Sequence, residues 1–272
     1  MFELPSGRPA IMAIINTTPD SFSDGGKFPD AASAVDAGMK LIEEGADLID
    51  VGGESTRPGA HPVSADEEIG RIVPVIEGLA KRGIHVSVDT SKPEVARIAL
   101  DAGAFLINDV NGLRAPGMLE IVETRKPWVC IMHMMGDPRS MQRDPHYSDV
   151  TKEVHQFLVD QAKKCITMGL EHGHIWIDPG LGFGKSVAHN CTLIRDLRVL
   201  VETGFPVLVG ASRKSFLGKL IGSESQPVAV DGRLSATLAA HVIAQVNGAR
   251  ILRVHDVRAA FDAVRVTASL LG

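Results

Sequence analysis

Gly45-Ala46-Asp47-Leu48-Ile49-Asp50 decides the fold, because the pattern returns as Gly103-Ala104-Phe105-Leu106-Ile107-Asn108 and as Gly248-Ala249-Arg250-Ile251-Leu252-Arg253. Each copy reads as a glycine that ends a helix, a tight turn and a short apolar strand. Working outward from these copies, comparable apolar runs occupy 10–15, 47–51, 85–88, 105–108, 128–132, 174–178, 206–210 and 250–254. Between them the spacing turns helical, as in Val35, Gly38, Met39 and Ile42, in Val154, Phe157, Leu158 and Cys165, and in Val257, Phe261, Val264, Ala268 and Leu271. Those spacings gather apolar groups on one helix face. Strands alternating with one-sided helices imply parallel pairing through right-handed crossovers. Eight such units predict an α/β protein with a single (β/α)8 TIM barrel; an open doubly wound sheet, the alternative, seldom needs eight sequential units. No proline-rich or serine-rich linker divides the series, so 1–272 reads as one domain.

The chain has 272 residues, of which 44% are hydrophobic and 22% charged, which excludes disordered, collagen-like and coiled-coil classes. The formal net charge of −5, with both signs interspersed, predicts neither nucleic-acid binding nor attraction to an acidic membrane. Cys130, Cys165 and Cys191 lie far apart without CxxC spacing, as in a protein of a reducing cytosol. No apolar run approaches the roughly 18 residues of a membrane span, and Met1-Phe2-Glu3 opens without signal-peptide character. A cytoplasmic location is expected.

Polar residues fall where strands end. Asn16, Asp50, Asp89, Asn108 with Asp109, Asp178, and Arg253 with His255 close six of the eight runs. Each taken singly suits a helix cap, but six together point to a pocket at the carboxyl rim of a barrel. The rim loops 16–26 and 52–60 are long, polar and glycine-rich, and are expected to close over a ligand. The opposite connections, such as Glu44-Gly45 and Arg82-Gly83, are brief.

Gly180-Leu181-Gly182-Phe183-Gly184-Lys185-Ser186 ends like a phosphate-binding loop, but Pro179 stands where the first glycine is required, and Lys185 breaks a GxGxxG reading. The glycines suit either backbone approaching a flat ligand, with Phe183 to stack on it, or a tight strand-to-helix turn. Arg253 and His255, brought beside Asn16 by closure of the barrel, suit a polyphosphate. Asp89, Asn108 and Asp178 suit a ring with an amidine-like N–C–NH2 edge, which offers paired donors to a carboxylate. Lys214, in Ser212-Arg213-Lys214-Ser215, reads equally as a ligand-binding group, a Schiff-base nucleophile or a surface lysine.

Residues 16–26, the run Gly53-Glu54-Ser55-Thr56-Arg57-Pro58-Gly59, the run from Asp178 to Lys185, Ser212-Arg213-Lys214-Ser215 and Arg253-Val254-His255-Asp256 together closely resemble the dihydropteroate synthases, the sulfonamide targets of folate biosynthesis. The resemblance runs from the first strand to the last helix. It implies a transferase joining p-aminobenzoate to 6-hydroxymethyl-7,8-dihydropterin diphosphate by SN1-like substitution, releasing pyrophosphate. By the family pattern Asp89, Asn108, Asp178 and Lys214 hold the pterin, Met132 is an apolar wall and Gly210 belongs to the substrate-binding set. Asn16, Arg253 and His255 take the diphosphate with magnesium, Asn16 being the implied metal ligand. Thr56, Arg57, Pro58, Phe183, Lys214 and Ser215 frame the aminobenzoate. Asp89, Asp178, Lys214, Arg253 and His255 are the implied catalytic set, and a homodimer is implied as well. Departures from the pattern are Thr17 where valine is more frequent, Leu181 for a common phenylalanine and Ala211 for a frequent methionine. The alternatives are a non-catalytic pterin-binding homologue, a pterin-dependent methyltransferase domain and a Schiff-base aldolase using Lys214. Complete rim loops count against the first, and the Ser212–Ser215 run against the second.

Overall fold

The computed structural model describes residues 2–17, 31–55, 62–136, 141 and 145–272. In chain order the elements are β1 (Ala10–Asn16), α1 (Ala31–Glu43), β2 (Leu48–Gly52), α2 (Ala65–Ala80), β3 (Val86–Asp89), α3 (Pro93–Asp101), β4 (Leu106–Asp109), α4 (Met118–Arg125) and β5 (Trp128–Met132). There follow α5 (Val150–Thr167), β6 (Ile175–Asp178), α6 (Val187–Arg195), α7 (Arg198–Val201), β7 (Leu208–Val209), α8 (Ser215–Ile221), α9 (Leu234–Val246), β8 (Ile251–Val254) and α10 (Val257–Leu271).

The repeated glycine pattern is one structural device used three times. Gly45, Gly103 and Gly248 have φ of 114°, 112° and 99°, the left-handed region open to glycine at little cost. After each, the next amide reaches back over the last helical turn: Ala46 N to Leu41 O at 3.0 Å, Ala104 N to Ala99 O at 3.0 Å, Ala249 N to Ala244 O at 2.9 Å. That bond closes the helix and aims the chain into a strand.

The eight strands run in the order β6-β5-β4-β3-β2-β1-β8-β7, all parallel. A parallel bridge between Ile177 and Val207 brings β6 and β7 together, so the barrel is nearly closed. The expected strand at 206–210 shrinks to Leu208–Val209. Pro206 has no N–H to give, and the Val207 carbonyl accepts both Arg250 N at 2.9 Å and Ile251 N at 3.2 Å, so ladder pairing starts late.

Side chains alternate along the strands. Ala13, Ile15, Ile49, Val51, Val88 and Ile107 join the large core beneath the helices. Met12, Leu48, Leu106, Cys130, Trp176 and Ile251 fill the lower barrel interior, with Phe2 against them. Two residues further along the same faces stand Asp50, Asn108, Asp178 and Arg253. The upper interior is therefore polar. Helix α10 buries Val257, Ala260, Val264 and Thr267, whereas Leu271, expected on the inner stripe, is 59% exposed. The helix turns its last apolar residues outward.

Candidate active site

Strand register builds the floor of the site. Asn16 pairs with Gly52, Gly52 with Asp89, and Asp89 with Asn108, so three polar side chains and one glycine share a level across β1 to β4. Met132 pairs with Asp178 across β5 and β6. None of Asp89, Asn108 and Asp178 caps a helix: α3 starts after Lys92 and α6 after Ser186, whose side chain accepts from His189 N. Asp109 does hold a turn, accepting from Asn111 N at 2.7 Å and Leu113 N at 2.9 Å, and burial pushes its carboxyl up to about 6.

Arg253 organises the centre. Its Nε donates to Asp50 Oδ2 at 2.6 Å and its Nη2 to Asp89 Oδ2 at 2.6 Å, while Asn108 Nδ2 donates to the same Asp50 oxygen at 2.9 Å. Burial pushes Asp89 up to about 7, opposed by the Arg253 charge and reinforced by Asp50. Burial also acts against the guanidinium charge, but Asp50 and Asp89 outweigh it and hold Arg253 above its ordinary range. Asp50 Oδ1 and Asp89 Oδ1 are buried and have no hydrogen-bond partner among the described residues. A ligand rich in N–H groups would satisfy them.

Asp178 sits across the floor, its Oδ1 accepting from Gly180 N at 2.7 Å. Burial raises it, and the Gly180 amide and the charges of Lys214, Lys185 and Arg253 oppose that rise. Lys214 occupies the position before α8 without capping it through its side chain, and its Nζ lies 3.9 Å from the centre of the Phe183 ring. Phe183 packs with Val110, Met132, Met134 and Met141, a small apolar cluster apart from the main core. The tight turn expected over 180–186 is present, with positive φ at Gly180, Gly182 and Gly184, and it sets Phe183 beside Met132.

His255 has Nδ1 3.0 Å from Ser212 Oγ, and its backbone N–H donates to the same oxygen at 3.1 Å. Burial, helped by Arg253 and Arg213, lowers the imidazole to about 3, so it is neutral near pH 7. A Ser212 hydroxyl donating to Nδ1 would leave the ring proton on Nε2. Arg213, at φ 59°, makes a two-pronged pair with Asp256 at 3.0 and 2.5 Å and fixes the turn between Ser212 and Lys214. Ser215 opens α8 and, with Gly182 and Lys185, lines a groove of about 370 Å³. Gly210 leaves room beside Arg253, whose Cβ would stand 3.9 Å from a Cβ added there.

Asn16 Oδ1 and Asp89 Oδ2 face the same point, 3.6 and 3.7 Å from where a Cβ on Gly52 would lie. Among the described residues no group of three or more His, Cys, Asp or Glu side chains is arranged to hold a metal ion. One amide oxygen does suit Mg²⁺, which keeps its waters and takes most of its remaining ligands from substrate phosphates. The Thr17 hydroxyl donates to Gly52 O at 3.2 Å and pins the end of β1 to β2. Thr56, Arg57 and Pro58, with the rest of 18–26 and 56–60, lie outside the described residues.

From sequence His133 and Lys185 had no role, Ser212 entered only within the run 212–215, and Asp50 was placed on the rim without a partner. Asp50 carried a usable signal: like Asn108 and Arg253, it stands two residues beyond an inward-facing apolar residue.

A family model described as pterin binding enzyme matches residues 12–255. The chain is 46% identical over 270 residues to the dihydropteroate synthase of Escherichia coli K12, covering 98% of this chain and 94% of that one. It belongs to the dihydropteroate synthase family. Among solved members of that family, the Yersinia pestis enzyme in a sulfonamide drug complex superposes with a TM-score of 0.92 at 42% identity, covering 98% of this chain and 96% of that one. The Xanthomonas albilineans dihydropteroate synthase with 4-aminobenzoic acid gives 0.89 at 48% identity, covering 97% and 94%.

Proposed function

We propose that this chain joins p-aminobenzoate to 6-hydroxymethyl-7,8-dihydropterin diphosphate, giving 7,8-dihydropteroate and pyrophosphate, through one domain spanning 1–272. The observation that carries this reading is the pair of buried oxygens on Asp50 and Asp89 at the mouth of a barrel of this family, which have no hydrogen-bond partner among the described residues. Asp178, Asp89 and Asn108 receive the donor edge of the pterin, and Met132 covers its apolar surface. Lys214, whose Nζ lies over the Phe183 ring, would reach both substrates.

An arylamine is unprotonated near neutral pH and needs no strong base, so the barrier lies mainly in departure of pyrophosphate from the pterin methylene. Catalysis is then electrostatic. Asp178 and Asp89 stabilise positive charge delocalised over the electron-rich ring as the bond to oxygen lengthens, in an SN1-like substitution. Arg253, the Nε2–H of His255 and the amide of Asn16 receive the diphosphate. Asn16 would hold Mg²⁺ together with the diphosphate, and the ion when bound would supply Lewis-acid neutralisation of the leaving group. Thr56, Arg57, Pro58, Phe183, Lys214 and Ser215 frame the aminobenzoate, and closure of the rim loops excludes water, which would otherwise yield hydroxymethylpterin.

Two further features belong to this reading. Ile243, Val246, Val266 and Leu270 leave apolar side chains exposed on α9 and α10, which supports pairing with a second copy. Cys130, Cys165 and Cys191 are free thiols, and among the described residues no helix is long and apolar enough to cross a membrane, in keeping with a cytoplasmic enzyme. The deciding experiment follows pyrophosphate and pteroate with the pterin diphosphate and magnesium, with and without p-aminobenzoate. Aminobenzoate-dependent release matched by pteroate is expected. Pterin binding without turnover would instead make the chain a non-catalytic relative.

A further inference from the structure

Lys185, the residue that spoils the phosphate-loop pattern, is only 3% exposed. Its Nζ lies 3.0 Å from His133 Nδ1, 3.2 Å from His133 O and 3.0 Å from Phe183 O. Among the described residues three polar atoms meet this amine, two carbonyl oxygens that accept from it and an imidazole nitrogen, and none is a carboxylate. Burying a lysine amine away from any bonded carboxylate is costly whether it keeps its proton or gives it up, so the arrangement calls for a reason beyond packing.

The reason lies in the chain it holds. Residues 179–185 run between β6 and α6 and belong to neither. With glycine at 180, 182 and 184 and positive φ at each, backbone preference does not fix this stretch. Buried side chains do so instead, one peptide group after another. Gly182 N donates to Asn190 Oδ1 at 2.7 Å, Phe183 O accepts from Lys185, and Gly184 O accepts from Tyr147 Oη at 2.8 Å. The middle peptide bears the ring that meets Lys214. The same amine also grips His133 O, while the His133 N–H donates to Asp178 O at 3.0 Å, so the Phe183 loop is referenced to the end of β6.

We propose that Lys185 is a positioning residue for the p-aminobenzoate side of the site, acting through the Phe183 carbonyl to hold the Phe183 ring against Lys214. This rests on the synthase reading above. Burial outweighs the attraction of Asp178 and brings the Lys185 amine down to about 7, a further sign of how dry its surroundings are.

The test is a double-mutant cycle: Lys185→Met, which keeps the length and removes every donor, and Lys185→Gln, which keeps a donor, each in the native and Phe183→Leu backgrounds. KM for each substrate, kcat and thermal unfolding are measured for all. Lys185→Met is expected to raise KM for p-aminobenzoate about tenfold, to change KM for the pterin diphosphate less than about twofold, and to add nothing in the Phe183→Leu background. Lys185→Gln is expected to recover part of the loss, and it carries the same cycle should Lys185→Met fail to fold. Equal rises in both KM values, the same factor in both backgrounds, or an unchanged KM in folded variants would overturn the proposal. If the native chain turned over normally while the cycle came out additive, only the role of Lys185 would fall. A native chain releasing no pyrophosphate would bring down the function beneath it too.

Discussion

Arg253 Nε lies 2.6 Å from Asp50 Oδ2, and that contact joins the last strand of the barrel to its second across the polar interior. The same oxygen accepts Asn108 Nδ2 at 2.9 Å, so one carboxylate orients both an arginine and an amide assigned to substrate. Asp50→Ala would leave Asn108 without this bond and Arg253 with Asp89 as its remaining carboxylate. Breaking a buried charged pair by removing one partner costs about 3–5 kcal/mol. A loss of folding stability of that order in urea unfolding, with a fall in pterin affinity by calorimetric titration, is the expected result. Native affinity in Asp50→Ala would mean that Arg253 and Asn108 are oriented by other groups.

Asp178 and Lys214 separate the two halves of the site. Asp178→Asn keeps the shape but loses the two-pronged acceptor, and together with Lys214→Ala it is expected to cripple pterin binding, by about 2–5 kcal/mol for Asp178. Arg57→Ala is expected to leave pterin binding near native and to lower turnover through aminobenzoate. Equilibrium binding of the pterin, followed by steady-state kinetics in both substrates, distinguishes the three. Near-native pterin affinity in Asp178→Asn would defeat the ring-recognition argument.

Gly180 allows no side chain. Its φ is 67°, and an added Cβ would sit 1.9 Å from His133 O, an oxygen that also accepts from Lys185. Gly180→Ala must therefore move the loop after β6 or the backbone after β5, and Gly180 N is the donor to Asp178 Oδ1. Loss of pterin binding is expected with a lowered unfolding temperature. If pterin bound normally, the approach of these two loops would not matter to the site.

Strand positions were legible because each strand is a short apolar run after a glycine-closed helix, and that signal is local. Asn16, Asp89, Asn108 and Asp178 were legible because a polar group at the end of an apolar strand stands out. Lys185 and His133 were not, since their role depends on polar atoms brought together from loops far apart in sequence. Asp50 was visible at a strand end, but its bonds reach Asn108 and Arg253, partners fixed by barrel register. The outward turn of Leu271 was hidden for a related reason: helical spacing gives the stripe but not where the underlying core stops.

His241 makes the pH dependence of stability testable away from the site. It is buried in α9, neither ring nitrogen has a hydrogen-bond partner among the described residues, and burial lowers it to about 4 from an ordinary 6.5. Between those values the unfolded chain takes up a proton that the folded chain refuses. The contribution of a neutral His241 is thus fully present above pH 6.5 and is lost as pH falls toward 4, by roughly 3 kcal/mol in all. His133 and His255, each lowered to about 3, act in the same direction. Asp109, raised to about 6, acts in the opposite one, because the fold binds its proton more tightly than the unfolded chain does. The informative quantity is therefore the difference between the native chain and His241→Leu, in which the other groups cancel. Urea unfolding at several pH values from 4 to 7 should show the variant gaining on the native chain as pH falls, by about 1.4 kcal/mol per unit. A constant difference across that range would mean that His241 is hydrogen-bonded or hydrated in solution and titrates normally.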